Sequence, residues 1–285
     1  MSTAKEKPNF ATFLKFRELQ GKPYPLPNQP FFTQMIYGDK GTSKTTFALS
    51  VPGDILVLSY EDADNVELPI KRFFNSSPRF QIKGFDQFVS EENGEIWKES
   101  SNLVFDLSMK ILKILISKNI KFDWVVIDGY QRFTKIAEMK MRYKNNIGAF
   151  AGIKNRTIWN ERMLYLNEYF RLVKKIAKYG VIFTSQNKMS EVKEDDGTVI
   201  TKTPSWQGKL RDDASTVIYT SMNTRTMGSK IVNTFYANVQ NCKIIGISKR
   251  FDITIRRGKD GKIENSPILA MKELLSSNIS VNLEW

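Results

Sequence analysis

Apolar residues along this 285-residue chain fall into a few short unbroken runs, separated by stretches with helical spacing. The run FFTQMIY, Phe31 to Tyr37, predicts a strand, and KTTFALS, which follows a glycine-bearing loop, suits a helix opening. DILVLSY (Asp54 to Tyr60) and FDWVVID (Phe122 to Asp128) predict two further strands. Strands of parallel sheets are covered on both faces, so they read as continuous apolar runs rather than alternating ones. Between these two, NLVFDLSMKILKILISKN has helical periodicity, which predicts a buried stripe of Leu103, Leu107, Ile111 and Ile114 or Leu115. Thr157 to Lys178 predicts a long helix that feeds a fourth strand, Gly180 to Gln186, with a glycine at the turn. Beyond Gln186 the pattern changes. NKMSEVKEDDGTVITKTPSWQGKL reads as a polar loop with room for a hairpin at Asp196-Gly197, and STVIYTSM, KIVNTFYANV, KIIGIS and DITIRR are closely spaced strand-like runs. The order predicts an α/β fold, a mainly parallel sheet flanked by helices with antiparallel strands added at the C-terminal edge. The first thirty residues, with Pro8, Pro23, Pro25, Pro27 and Pro30, read as a flexible basic arm, which leaves 31–285 as one domain.

Composition narrows the chemistry. With no histidine and only Cys242, the chain has neither imidazole acid–base catalysis nor a cysteine-cluster metal site, so any chemistry rests on carboxylates, Lys, Arg, hydroxyls and backbone amides. No apolar stretch reaches the eighteen or so residues of a membrane span, and MSTAKEKPNF lacks the apolar block of a secretory signal. The expectation is a soluble, cytoplasmic protein without a membrane partner. Net charge is +13, which favours a polyanionic partner without choosing between nucleic acid and an anionic membrane surface. Much of that excess sits in one segment: Arg132 to Lys178 holds twelve Lys or Arg against Glu138, Glu161 and Glu168.

The candidate chemistry begins in GDKGTSKTT, Gly38 to Thr46, which nearly spells a phosphate-binding loop. In that motif consecutive backbone N–H groups wrap the phosphates, the lysine neutralises the terminal pair, and the next hydroxyl meets Mg²⁺. Gly38, Asp39, Lys40, Gly41, Thr42, Ser43, Lys44, Thr45 and Thr46 form the expected nucleotide-binding set, with ATP and Mg²⁺ as the ligands. Ser43 stands where the pattern asks for glycine, and a Cβ there adds the roughly 1–3 kcal/mol of a strained backbone position. Taken alone, the stretch also fits an ordinary glycine-bearing turn before a helix. Asp128 ends FDWVVID at a strand tip, where open α/β sheets bind ligands, and with Thr45 it is the expected metal-holding residue; a strand-end helix cap is the other reading. Glu61, at the end of LVLSYED, is placed to polarise an attacking water, unless it or Asp62 belongs to a solvated turn. Gln186 closes the fourth strand with a neutral amide, either a γ-phosphate sensor or an ordinary polar strand end.

The ordered set GDKGTSKTT, LSYE, WVVID and VIFTSQ resembles the RecA/RadA family of recombinases and its smaller viral relatives, the single-strand-annealing ATPases of phages and archaeal viruses. The likeness runs from about Phe31 to Arg257 and continues in Gly208 and in ASTVIYTS from Ala214. It implies a RecA-like P-loop NTPase core in which Lys44, Glu61, Asp128 and Gln186 are catalytic. Lys249 and Arg250 would reach the nucleotide of a neighbouring subunit, so the resemblance implies a homo-oligomer, a ring or short filament. It also implies two loops that face single-stranded DNA. The first falls near Glu138 to Arg156, where Lys140, Arg142, Lys144, Lys154 and Arg156 would contact phosphates and Tyr143 and Phe150 would stack on bases. The second carries Lys188, Lys193 and Lys202, nearly balanced by Glu191, Glu194, Asp195 and Asp196. The expected function is a Mg²⁺-dependent ATPase that binds single-stranded DNA and promotes annealing or recombination, in the host cytoplasm if virus-encoded. A helicase-like or DNA-packaging motor, and a non-hydrolysing DNA-coating protein, are the alternatives.

Overall fold

The computed structural model describes residues 31–92, 95–194, 197–204, 214–227, 230–242, 249–257 and 263–276. In chain order come β1 (Phe32–Gly38), α1 (Lys44–Ala48), β2 (Ile55–Ser59), α2 (Asp64–Phe73) and β3 (Phe80–Gly84). A short ribbon, β4 (Glu91–Glu92) and β5 (Glu95–Ile96), precedes α3 (Lys98–Ser117), β6 (Phe122–Asp128), α4 (Tyr130–Lys144) and α5 (Arg156–Ile176). The remaining elements are β7 (Ala177–Glu194), β8 (Gly197–Pro204), β9 (Thr216–Met227), β10 (Lys230–Cys242), β11 (Arg250–Asp252), β12 (Ile255–Arg257), β13 (Ile263–Asn265) and α6 (Ser266–Ser276).

The main sheet runs β11-β10-β9-β1-β7-β6-β2-β3. Every neighbouring pair from β9 to β3 is parallel, and β10 and β11 add on antiparallel. This is the predicted α/β architecture, with its antiparallel strands at the C-terminal edge. Side chains alternate across the sheet with the period of two that a strand imposes. Met35, Tyr37, Leu56, Leu58, Val125, Ile127, Val181 and Phe183 face one core, shared with α3, α4 and α5. Phe32, Ile36, Ile55, Val57, Trp124, Val126 and Ile182 face the other, shared with α1, α2 and α6. Two covered faces explain why the central strands read as unbroken apolar runs.

The structure corrects one expectation and extends two others. Leu103 is 45% exposed, and the buried side of α3 is instead built from Val104, Phe105, Leu107, Ser108, Ile111, Leu112 and Leu115. The helix is wedged between the sheet, α4 and α5, so its apolar face is wider than one stripe and rotated from the predicted one. Edge strand β3 has no predicted counterpart, because Gln81 and Lys83 interrupt its apolar run. The hairpin that the polar stretch after Gln186 has room for is present and longer than its turn signal suggests: β7 continues to Glu194 and β8 pairs back along it from Gly197 to Pro204. The KIIGIS run lies outside the described residues, as do 1–30.

Phe105 lies stacked against Phe133, ring centroids 5.8 Å apart. Phe105→Ala should therefore lower the unfolding free energy by about 3–5 kcal/mol. Leu103→Ser should stay within about 0.5 kcal/mol of the native chain, as surface changes do. Urea unfolding of the two variants checks the helix's orientation.

Candidate functional site

Parallel pairing brings the carboxyl ends of β1, β7, β6 and β2 to one edge. Gly38 at the end of β1 is in register with Gln186 on β7 and Thr220 on β9, and Ser59 at the end of β2 with Asp128 on β6. The chain passes from β1 to β2 across the positions later filled by β7 and β6, which opens a crevice where open α/β sheets bind ligands. The crevice has a volume of about 510 Å³ and is lined by the loop 40–46 together with Glu61, Asp62, Asp128, Gln131, Arg132, Thr184 and Gln186, among others.

The loop is held by few, specific contacts. A Cβ on Gly38 would sit 2.3 Å from the Thr220 carbonyl oxygen, so the close approach to β9 requires glycine there. The Thr42 hydroxyl bonds to the Asp39 carbonyl and the Thr220 hydroxyl, each at 2.8 Å, which occupies its side chain in bracing the loop. Ser43 has φ 62° and ψ 23°, the left-handed region, and it starts α1 without a side-chain cap. Glycine is the usual residue at such a site because a Cβ is strained in that conformation. The Lys44 ammonium donates to the carbonyls of Gly38 (3.1 Å) and Asp39 (2.7 Å), folded over the mouth of the loop. Burial pushes its pKa down, while Glu61, Asp128 and Asp39 oppose that shift.

Asp128 is buried at the tip of β6. Its Oδ1 accepts from the hydroxyls of Thr45 (2.8 Å) and Thr184 (2.7 Å), whereas its Oδ2 is buried and has no hydrogen-bond partner within bonding geometry among the described residues. A buried carboxylate oxygen left unpaired is costly unless a cation meets it. A hydroxyl and a carboxylate are the oxygen donors that Mg²⁺ takes, so Thr45 and Asp128 fit that ion. Burial pushes the Asp128 carboxyl up, against the two threonine bonds and the charge of Lys44.

Glu61 lies beside Gly129, which has φ +77°; a Cβ there would lie 2.5 Å from Glu61 Cγ, so the absent side chain makes room for the glutamate. Glu61 Oε1 accepts from the amide of Gln131 and, at 3.3 Å, from that of Gln186. Burial raises its pKa, the Asp128 charge adds to the rise, and Lys44, Arg132 and the Gln131 amide oppose it. The structure thus brings Lys44, Glu61, Asp128 and Gln186 together in one crevice. It adds Gln131 and Thr184, which sequence reading missed. Gln131 stands in the first turn of α4, just past the Gly129 turn that follows Asp128, and Thr184 precedes Gln186 by two on one strand, which puts the two on the same face.

A family model described as AAA domain (AAA_24) matches residues 32–246, most of the chain. The chain belongs to the AAA domain family. This is a P-loop ATPase family, and an ATPase domain implies nucleotide binding. Among solved structures it is similar to the flagellar accessory protein FlaH from Methanocaldococcus jannaschii, at 12% identity, covering 82% of this chain and 89% of that one with a TM-score of 0.38. No curated protein matches it.

On the AAA domain, the remaining expected site residues lie apart from the crevice. Lys249 pairs with Glu273 and lies over the Phe251 ring, and Arg250 lies 3.6 Å from the Tyr236 ring centroid. Arg250 opens β11, at the end of the sheet, with β10 and β9 between it and β1. Neither basic residue lines the crevice of its own chain.

The first expected DNA-facing loop is helical in its first part. Residues up to Lys144 belong to α4, so the connecting loop is 145–155. Arg142 is buried, bonded to Glu138 (2.9 Å) and to the carbonyls of Gly148 (3.0 Å) and Ala151 (2.7 Å). Its guanidinium is thus used inside the protein, which removes it from the set of exposed phosphate contacts. Lys140 is likewise held by Asp106 (2.7 Å) and Asn102 (3.0 Å), and Lys144 pairs with Glu161. Lys154 and Arg156 are exposed and make no ion pair among the described residues; Phe150 is 65% exposed and Tyr143 42%. Lys188 is exposed at the start of the β7–β8 ribbon, and Lys193 and Lys202 are placed there by backbone register alone. A second ribbon, β9–β10, was not anticipated as a surface. Its outer part, Met222–Met227 paired with Lys230–Phe235, exposes Met222, Met227, Ile231 and Val232 beside Arg225 and Lys230. No helix among the described residues is long and apolar enough to cross a membrane.

Two predictions follow from strain and charge in the crevice. Because the folded state raises the Asp128 pKa, ionisation costs folding stability, which is fully present below the unfolded carboxylate's range and lost as pH rises through the folded value. Asp128→Asn should therefore raise the thermal midpoint near neutral pH in the presence of EDTA, while weakening binding of a nucleotide with Mg²⁺. At position 43, glycine would relieve about 1–2 kcal/mol of left-handed strain but return about 0.4–1 kcal/mol as unfolded-state entropy. Ser43→Gly should thus be stabilising by between about 0 and 1.6 kcal/mol, and Ser43→Val destabilising, in denaturant titrations without nucleotide.

Proposed function

We propose that this protein is a Mg²⁺-dependent ATPase of RecA-like type that binds single-stranded DNA and promotes strand annealing or recombination. The observation that carries the reading is the convergence of Lys44, Glu61 and Asp128 on one 510 Å³ crevice, with Glu61 fastened by two amides. The loop amides and Lys44 bind the nucleotide phosphates, for which Lys44 leaves the Gly38 and Asp39 carbonyls. Thr45 and Asp128 hold Mg²⁺, which neutralises charge on the phosphates when bound. Glu61, its carboxyl raised by burial, takes a proton from the attacking water. Gln186 reports on the terminal phosphate from the adjacent strand. Lys249 and Arg250, remote from their own crevice, act at that of a neighbouring copy in a ring or short filament.

Support for the polyanionic partner comes from the net charge of +13 and from exposed groups near one another in sequence: Phe150, Lys154 and Arg156 in the 145–155 loop. The antiparallel contacts of α4 with α5, Glu138 to Arg162 and Lys144 to Glu161, direct this loop away from the end at which α5 enters β7. Loop and crevice then lie toward the same edge of the sheet. That arrangement would let a bound strand influence the nucleotide.

The deciding measurement is ATP turnover with and without single-stranded DNA, followed by annealing of complementary strands. Turnover should rise with DNA. Lys44→Ala should lose nucleotide binding or turnover, and Glu61→Gln should keep binding while turnover falls at least a hundredfold, the scale of general-base loss. Absence of turnover in the native chain under both conditions would reject the enzyme reading, and unwinding without annealing would replace it with a motor.

A further inference from the structure

We infer that Gln131 is a positioning residue for Glu61 and couples that carboxylate to the base of the β7–β8 ribbon; the inference rests on reading Glu61 as the general base. Three hydrogen bonds close a ring. The Gln131 amide nitrogen donates to Glu61 Oε1, the Gln186 amide nitrogen donates to the same oxygen at 3.3 Å, and the Gln186 backbone N–H donates to Gln131 Oε1 at 3.2 Å. The last bond sets the direction of the others: with the Gln131 carbonyl turned to Gln186, its NH₂ group must face Glu61.

The ring removes rotational freedom from a glutamate that stands past the end of its strand. An unsupported Glu side chain loses rotamer entropy when fixed, and here neutral amides supply the fixing contacts without adding charge. Asp128 and Glu61 already stand near one another at this crevice, so a lysine or arginine at position 131 would fasten Glu61 only by neutralising it. Placement of Gln131 follows from Gly129, whose left-handed turn begins α4 beside Glu61 and presents the helix's first turn to it.

The backbone donor carries the coupling. Gln186 is the last residue of β7 in register with β1, opposite Gly38, and the next residue, Asn187, is the first paired with β8. A shift of the ribbon that moves the Gln186 peptide must therefore alter the Gln131 carbonyl bond and, through it, the amide on Glu61. Contact between a partner and the ribbon would be felt at the base without any direct contact to the nucleotide.

The test uses the full chain, with Gln131→Met, which keeps length and lacks both amide functions. Affinity for a fluorescent ATP analogue should stay within about twofold and KM should hardly move, while kcat falls about a hundredfold, the effect of small misplacement of a reacting group. Combining Q131M with Q186M should cost little more than the larger single change, because both break one ring. A kcat within threefold of native, or fully additive losses in the double variant, would overturn the inference. Should Q131M fail to bind the analogue, Gln131→Asn takes its place: one methylene short of Glu61, it should lose kcat with binding kept, and native kcat in that variant overturns the inference equally. The base reading fails separately, if Glu61→Gln itself turns over at the native rate.

Discussion

The hydrogen bond from the Thr45 hydroxyl to Asp128 Oδ1, at 2.8 Å, joins the loop after β1 to the tip of β6 across the intervening β7. The crevice depends on that span. It brings the start of α1 within reach of a buried carboxylate, and Thr184, on the strand between, supplies the second donor at 2.7 Å. Around this point the protein accepts several local costs together: a left-handed serine, a desolvated lysine, a raised glutamate and a carboxylate oxygen unpaired among the described residues. Each is a strain that surrounding structure must offset, and their clustering at one sheet edge is the mark of a ligand site rather than of a core.

The surface charge is arranged differently from what its linear density suggests. The basic segment from Arg132 to Lys178 supplies cations to acids that lie elsewhere in the chain: Arg132 to Glu91, Lys140 to Asp106 and Lys178 to Asp123. Within the segment, Glu138 serves Arg142 at 2.9 Å and Arg162 at 3.9 Å from a largely buried position. Such buried pairing holds α4 against α5 and withdraws charge from solvent. What remains exposed is Lys154 and Arg156 with Phe150 in the loop and the helix start that follows it, together with Arg171, Lys174 and Lys175 near the end of α5. A polyanion would meet that smaller set, and a count of lysines and arginines overstates it.

Much of the crevice was legible before the fold, because its residues stand at strand ends and strand ends are marked by apolar runs. Asp128 and Gln186 each close such a run, and Glu61 follows one; Lys44 and Thr45 lie in a loop pattern whose purpose is chemical. Gln131 and Thr184 carried no such mark. One looks like an ordinary helix residue and the other like an ordinary strand threonine, and only the parallel register of β6 with β7 sets them beside Asp128 and Glu61. Leu103 shows the same limit for packing: period alone cannot say which side of a broad apolar helix meets its neighbours.

The amino-acid sequence by itself determined the central strands β1, β2, β6 and β7, the helices α3 and α5, the mainly parallel character of the sheet and the position of the phosphate loop, since each follows from local periodicity or from backbone chemistry within a few residues. Tertiary structure alone decided which basic side chains remain exposed, which face of α3 is buried, and that Gln131 bridges Glu61 to Gln186. Those outcomes depend on contacts between residues far apart in the chain, from Gln131 to Glu61 and from Lys140 to Asp106, whose energies exist only once the sheet has set the distances.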